Sequence, residues 1–394
     1  MASDNSIEDQ LLFTDTGRHL NIRRFGCLNR QLPAGWSIMK FSLLITCAIY
    51  FILFIQWGFP QHVNTGYSVQ VDRRTCCLPP GADVCVKTNC TLACPQPKSL
   101  IFYSHPTESI INQNQNAFFI ETSGSGLLTI RQACAVESLA LHNPNLTVNV
   151  LFMDVPINTS VVVLQQLKDK YNNIQLASVN VDIYLAGTAL ERWYHCTNWK
   201  KGSFHVNNLS NGLRLLTLQK YGGYYFDLDI ISVRPVTFYR NFVAVQDATS
   251  LNNDVIHADK EHPFIEMAIQ DFIVNFNPEI WGHNGPSLIT RVLRKWCNVT
   301  DIESMDYVTC RGFNILPTTS FHPVHYGRMK TLFAQPLANE SGTRLTWLTE
   351  RVIGVHIWNK LSKTQPIYKH STQDYIRLAR IHCPNVFSLA PDVF

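Results

Sequence analysis

Two aspartates stand two residues apart in Tyr221-Gly-Gly-Tyr-Tyr-Phe-Asp-Leu-Asp229, at the end of an apolar, aromatic run with strand character. Side chains at i and i+2 of a strand share a face. Asp227 and Asp229 are therefore expected to converge on one hard divalent cation, whose preferred ligands are carboxylate and phosphate oxygens. A cation held in this way can grip a nucleoside diphosphate. An isolated D-x-D carries little weight, since about one arises by chance in a chain of this length; its setting carries more. Upstream, Asn211-Gly-Leu-Arg-Leu-Leu-Thr-Leu-Gln-Lys220 puts Leu213 and Leu216 at helical spacing, with Ser210 or Asn211 suited to cap the helix. Gly222-Gly223 then stops it. A capped helix, a glycine break, a strand and a terminal carboxylate pair make an αβ unit, and such folds bind ligands at the carboxyl ends of their strands. Tyr224 and Phe226 read as core residues, whereas Tyr225 shares the predicted face of the two aspartates.

The elements around this unit define the fold class. Ala117–Glu121 reads as a strand, Ile130–His142 as a helix and Val148–Met153 as a second strand, and a helix over Val161–Tyr171 and a strand over Ile174–Val179 repeat the pattern. This β-α-β-α order predicts an α/β domain over 117–394, with a mostly parallel sheet and helices on both faces. Residues 60–116 have scattered prolines and no sustained period, and read as a stem. No internal repeat is visible. A net charge of +4 with interspersed signs gives no basis for a nucleic-acid surface.

The N-terminal region predicts a location. Phe41 to Phe59 is free of charge, and as a helix it would be about 28 Å long, close to the hydrocarbon thickness of a bilayer. The twenty residues before it carry Arg23, Arg24, Arg30 and Lys40 and no acid, while those after it carry Arg73 and Arg74 partly offset by Asp72. The positive-inside rule then gives a cytosolic tail at 1–40, a signal anchor at 41–59 and export of the rest. Ten of the twelve cysteines lie on the exported side, which suits an oxidising compartment. Cys76, Cys77, Cys85, Cys90 and Cys94 fit a disulfide-stapled stem better than a zinc site. Their odd number leaves one to pair elsewhere, stay reduced or join two chains, so a homodimer is open. Cys297 and Cys310 read as a local disulfide. Sequons at Asn89, Asn145, Asn158, Asn208, Asn298 and Asn339 all follow the span.

Several ordered motifs extend the reading. Phe118-Phe-Ile-Glu-Thr-Ser123, Cys134-Ala-Val-Glu-Ser138, the Leu209–Asp229 unit, Ile280-Trp-Gly-His-Asn-Gly-Pro286, Lys295-Trp-Cys297, Cys310-Arg-Gly312 and Val355-His-Ile-Trp-Asn-Lys360 together resemble the alpha-1,4-glycosyltransferase family over about residues 117–385. The resemblance implies a Golgi membrane enzyme of single-pass type II topology with a lumenal GT-A-like domain. It also implies Mn2+, a UDP-sugar donor (UDP-galactose or UDP-N-acetylgalactosamine), a glycosphingolipid acceptor and retention of the alpha configuration. On the matching positions, Asp229 resembles the direct metal ligand, Asp227 the carboxylate near ribose and metal, and Arg214 the helix arginine of the donor site. Two departures stand out. The family commonly has Ser-Asp where this chain has Ser210-Asn211, which keeps hydrogen bonding but loses a charge. Asn284 stands where relatives often have Gln, a longer side chain.

The remaining candidates each have two readings. His356 lies in the apolar run Val352–Trp358 and is either a metal or diphosphate ligand or a satisfied core histidine. His283 and Asn284 line a donor or acceptor pocket or merely build a turn, and Trp358 either stacks on a sugar or packs in the core. Glu137 reads as structural. Bond cleavage would build negative charge on the leaving diphosphate, which a cation at Asp229 would stabilise. No residue presents itself as a nucleophile, which favours front-face attack over double displacement. A glycoside hydrolase would need two carboxylates flanking the scissile bond, whereas this pair is placed for a metal.

Overall fold

The computed structural model describes residues 101–102, 115–158, 160–335 and 345–394. The predicted tail, the span 41–59, nearly all of the stem with its five cysteines, and the Asn89 and Asn339 sequons lie outside these residues. Among the described residues, no helix is long and apolar enough to cross a membrane.

The domain is built on an eight-stranded sheet in the order β1-β4-β3-β2-β5-β8-β7-β9. Its strands are β1 (Ile101–Phe102), β2 (Asn116–Glu121), β3 (Thr147–Met153), β4 (Ile174–Val179), β5 (Gly223–Phe226), β7 (Phe242–Asp247), β8 (Ser250–Ala258) and β9 (Asn314–Leu316). The four strands β4-β3-β2-β5 are mutually parallel, as is β7 with β9. β1, β8 and β7 add antiparallel pairings at and toward the two edges. The sheet is thus mostly parallel, with an antiparallel turn just past β5. β2 and β3 are buried on both faces, as continuous apolar runs in a covered parallel sheet must be.

Alternation along β2 separates two cores: Ala117 and Phe119 enter one, Phe118 and Ile120 the other. The first is covered by α1 (Ile130–His142), α2 (Val162–Lys170), α9 (Asp374–His382) and α10 (Pro384–Ser388). The second lies under α3 (Val181–Leu185), α4 (Ala189–Cys196), α5 (His205–Tyr221), α6 (Pro263–Val274) and α7 (Pro286–Cys297). A short α8 (Asn359–Ser362) follows β10 (Gly354–His356), which pairs antiparallel with β6 (Ile230–Ser232) in a separate two-stranded sheet.

Two disulfides brace the chain. Cys297–Cys310 is the predicted local one; Cys134–Cys383 joins α1 to the α9–α10 junction across 249 positions. Glu137, fully buried on α1, accepts from Tyr171 Oη (2.7 Å), Asn385 N (3.0 Å), Asn385 Nδ2 (2.8 Å) and Val386 N (2.7 Å), and so pins α10 to α1 in the structural role expected of it. Of the described sequons, Asn145, Asn158 and Asn298 are exposed. Asn208 is buried on α5 and accepts from Asn284 Nδ2, so the folded domain offers no room there for a glycan.

Candidate active site

The site forms where α5 hands the chain to β5 and β5 hands it to β6. Gly222 ends α5 at φ +65° and Gly223 follows at φ +95°. A Cβ on Gly223 would lie 2.3 Å from the Asn116 carbonyl oxygen, so only glycine lets β5 close on β2. Two expectations change here. The helix begins at His205, six residues before the predicted start at Asn211, so Ser210 and Asn211 sit within it and cap nothing. Their polarity serves the site instead: Ser210 Oγ accepts from Arg214 Nη2 at 3.0 Å, and Asn211 Oδ1 accepts from Asn253 Nδ2 at 2.8 Å. Nor do the aspartates share a strand face. β5 ends at Phe226 and β6 starts at Ile230, and the chain turns through Asp227-Leu-Asp229, with Ile230 N donating to the Asp227 carbonyl.

The turn points the two carboxylates at different partners. Asp227 Oδ1 accepts from Tyr225 Oη at 2.6 Å and pairs with Arg214 Nη2 at 3.0 Å. Arg214, almost fully buried, also donates to the Asn253 carbonyl at 2.6 Å and lies over the Tyr225 ring at 4.4 Å. Burial raises the Asp227 carboxyl; Arg214 opposes this, Asp229 adds to it, and the balance leaves it pushed up to about 6. Such a group gains from a further positive charge.

Asp229 faces the other way. Its Oδ2 lies 3.1 Å from His356 Nε2 and accepts from Asn359 N at 2.8 Å. The β6–β10 pairing sets this geometry: Ile230 is opposite His356, and Ile357 N donates to the Asp229 carbonyl at 3.0 Å. The other imidazole nitrogen, Nδ1, is 3.0 Å from Asp254 Oδ2, at ion-pair distance but without the alignment of a hydrogen bond. Burial alone would lower the His356 imidazole, yet the two carboxylates outweigh it and push it up to about 10. Burial would likewise raise Asp254, but His322 and His356 hold it far below the usual carboxylate range.

The other predicted residues divide clearly. Tyr225 is 1% exposed, so its role in this structure is to hold Asp227 through its hydroxyl. Trp358 is buried and at φ +54°, a conformation uncommon outside glycine. Its Nε1 donates to the Val324 carbonyl and its ring lies 3.9 Å from that of His356, so it braces the histidine rather than facing open space. His283 Nε2 meets the Asn275 carbonyl at 2.8 Å, while Asn284 is buried and spends its amide on Asn208 Oδ1, the Asn277 carbonyl and Asn277 N. These two residues tie their loop together, and it is the backbone at Gly285 that comes close to Asn211 and Asn253. Trp281, half-exposed, lies with Lys360 Nζ 5.5 Å from its ring, one residue from the Asn359 that bonds Asp229.

Sequence reasoning missed Asp254, His322 and Asn253. One signal was available: Asn252-Asn253-Asp254 puts three consecutive polar residues inside a strand, and all three are buried. His322, after the short 3-10 turn Thr318–Ser320, gives no such signal.

The donor set fits a divalent cation. Two ligands at 90° on a cation with bonds of about 2.1 Å lie about 3.0 Å apart, and Asp229 Oδ2 and His356 Nε2 are 3.1 Å apart. Carboxylate oxygen suits Mg, Ca and Mn, and imidazole nitrogen suits Zn, Cu, Fe and Ni, so the mixed pair fits a divalent cation without selecting one.

A family described as "Glycosyltransferase sugar-binding region containing DXD motif" matches residues 129–256, and one described as "Alpha 1,4-glycosyltransferase conserved region" matches 257–390. Lactosylceramide 4-alpha-galactosyltransferase of Mus musculus is 30% identical over 275 residues, covering 68% of this chain and 74% of that protein. Alpha-1,4-N-acetylglucosaminyltransferase of Homo sapiens is 28% identical over 315 residues, covering 77% of this chain and 87% of that protein. Among solved structures, the glycosyltransferase GlyE of Streptococcus pneumoniae TIGR4 is similar at 13% identity and a TM-score of 0.37, over 71% of this chain and 62% of that one.

Proposed function

Since the chain belongs to the alpha-1,4-glycosyltransferase family and is a glycosyltransferase, we propose that it moves galactose or N-acetylgalactosamine from a UDP-sugar to a terminal beta-linked sugar of a glycolipid, in alpha-1,4 linkage and with a divalent cation, Mn2+. The observation that carries the reading is Asp229 Oδ2 at 3.1 Å from His356 Nε2, a carboxylate and an imidazole presented together at the carboxyl end of β5. Asp229 and His356 would hold the cation, with Asp227 beside them. When bound, it supplies Lewis-acid stabilisation of the charge that develops on the departing diphosphate.

The chain's own residues do the positioning. Arg214 and Tyr225 fix the Asp227 carboxylate, and Asn359 N fixes that of Asp229, so neither must reorganise as charge develops. Asn211 on α5 and Asn253 on β8 are hydrogen-bonded to each other, and their amides are of a type suited to the hydroxyls of the transferred sugar. Trp281 offers an aromatic plane to the acceptor at the rim. None of the described carboxylates is set as an obvious nucleophile, which supports front-face attack with retention.

The span 41–59 supports a Golgi-anchored type II enzyme whose site lies close to lipid-borne acceptors at high effective concentration. Transfer of N-acetylglucosamine to a glycoprotein glycan is the second reading, favoured by the longer match to the relative of that activity. A donor-by-acceptor screen with Mn2+, followed by proton NMR of the product, tests both. The expected product is an alpha linkage on a beta-galactosyl glycolipid; a large anomeric coupling overturns retention, and success only with UDP-N-acetylglucosamine and a glycoprotein selects the second reading.

A further inference from the structure

Beneath His356 lies a second carboxylate outside the D-x-D motif. Asp254 comes from β8, directly across from the end of β5, where Asp227 N donates to its carbonyl at 2.7 Å. Its side chain is 1% exposed and that of its partner His322 is wholly buried. Asp254 Oδ1 accepts from Val255 N at 2.9 Å, and Oδ2 lies 2.6 Å from His322 Nε2 and 3.0 Å from His356 Nδ1.

The partners dictate which atoms carry hydrogen. His322 Nδ1 is 2.9 Å from the Val245 carbonyl, which can only accept, so Nδ1 is a donor and the ring is held at that end. Its Nε2 then contacts Asp254 at a separation that requires a hydrogen between nitrogen and oxygen. That contact is a hydrogen bond in this structure, and with His356 the two residues form a buried cluster whose ligand atoms lie within 4.8 Å of one another. Asp254 is therefore fixed by His322 and by the backbone of Val255, with Oδ2 still 3.0 Å from His356 Nδ1, at ion-pair distance. His356 is bounded on its inner side by Asp254, along its face by Trp358 at 3.9 Å, and through its backbone N by the Phe321 carbonyl, the residue preceding His322. Only Nε2 looks toward Asp229.

We propose that Asp254 and His322 are positioning residues that orient His356 so that its Nε2 lone pair is presented, with Asp229, to a divalent cation. Resting on the metal reading above, this makes a buried carboxylate–histidine–metal chain two residues deep. Outer-shell partners of this type typically govern metal affinity by 10- to 100-fold.

The test uses the full-length protein in detergent, with Mn2+ binding followed by the loss of the free-ion EPR signal in the absence of any donor sugar. Asp254→Asn is expected to weaken Mn2+ binding roughly 10- to 100-fold. In turnover assays the loss should fall mainly on the Mn2+ concentration giving half-maximal rate, and less on the rate at saturating Mn2+. His322→Gln, which keeps a donor toward Asp254, should shift both in the same direction by a smaller factor and remains informative if Asp254→Asn fails to fold. Unchanged Mn2+ affinity in a folded variant overturns the proposal. So does wild-type binding of two ions per chain falling to one in Asp254→Asn, which would make the inner cluster itself a metal site. If wild type and Asp229→Asn bind Mn2+ alike, it is the underlying metal reading that falls, and the positioning role with it.

Discussion

Replacing Arg214 tests whether the aspartate pair depends on a buried cation for its geometry. In Arg214→Met the side chain keeps its length but loses the ion pair to Asp227 (3.0 Å), the bond to the Asn253 carbonyl (2.6 Å) and the stacking over Tyr225 (4.4 Å). Breaking a buried ion pair by removing one partner costs about 3–5 kcal/mol. The side chain of Asp227 is 27% exposed, so water recovers part of this and the low end of the range applies to the pair. An unsatisfied Asn253 carbonyl adds about 1 kcal/mol or more. The expected loss is about 4 kcal/mol, which in a domain of this size is roughly 8–15 °C in Tm. Thermal unfolding of the purified full-length protein in metal-free buffer measures it. A cycle with Asp227→Asn isolates the coupling, and the double variant should be less destabilised than the sum of the singles by about 2 kcal/mol. A Tm shift under about 2 °C, or additivity within about 0.5 kcal/mol, would refute the view that Arg214 holds the pair in place.

Gly223→Ala should prevent β5 from closing on β2, because its Cβ would sit 2.3 Å from the Asn116 carbonyl oxygen at φ +95°; a soluble variant with near wild-type Tm contradicts this. Replacing both Cys134 and Cys383 by Ser opens a link across 249 positions and should cost about 5 kcal/mol in the chain-entropy account. Urea unfolding measures that loss, and peptide mapping without reductant should recover the Cys134–Cys383 pair. His257 is pushed down to about 4 by burial, with Asn241 N donating to its Nδ1. The unfolded chain therefore takes up a proton that the folded state refuses, and stability falls as pH drops from 6.5 toward 4, by on the order of 1 kcal/mol per pH unit. His257→Gln should reduce that fall, to which His382, also pushed down to about 4 by burial, contributes as well, and an unchanged slope would show that His257 is not a source of it.

Much of the first half of the domain was legible because β2 and β3 are buried on both faces and so carry mainly apolar runs, while α1 and α2 carry a helical period between them. The glycine stop before β5 was equally plain, since two consecutive positive φ angles admit little else. The start of α5 was misread for a physical reason: Ser210 and Asn211 have the chemistry of a cap, but that polarity is used toward Arg214 and Asn253 from within the helix. Treating Asp227 and Asp229 as strand neighbours failed similarly, because local spacing does not reveal that β6 leaves the main sheet to pair with β10. His356 was legible only as an ambiguous histidine; the strand that brings it to Asp229 lies more than a hundred residues away, a contact no local pattern encodes. His322 and Asp254 meet across 68 positions, one just after a 3-10 turn and the other in the middle of β8. Asn284 and Trp358, read as candidate sugar contacts, are buried braces, since an amide or indole in a wall has the same local sequence as one facing a ligand.

The account turns on Asp229 and His356 serving a cation in sugar transfer, and the most direct measurement is the initial rate of transfer from UDP-galactose to a beta-galactosyl glycolipid by wild type and Asp229→Asn across a Mn2+ titration. The wild-type rate should vanish on chelation and return with Mn2+, while Asp229→Asn, folded to the same Tm within a few degrees, should stay at least about 100-fold slower at every Mn2+ concentration. Transfer that survives chelation, or an Asp229→Asn enzyme that matches wild type at ordinary Mn2+, would contradict it.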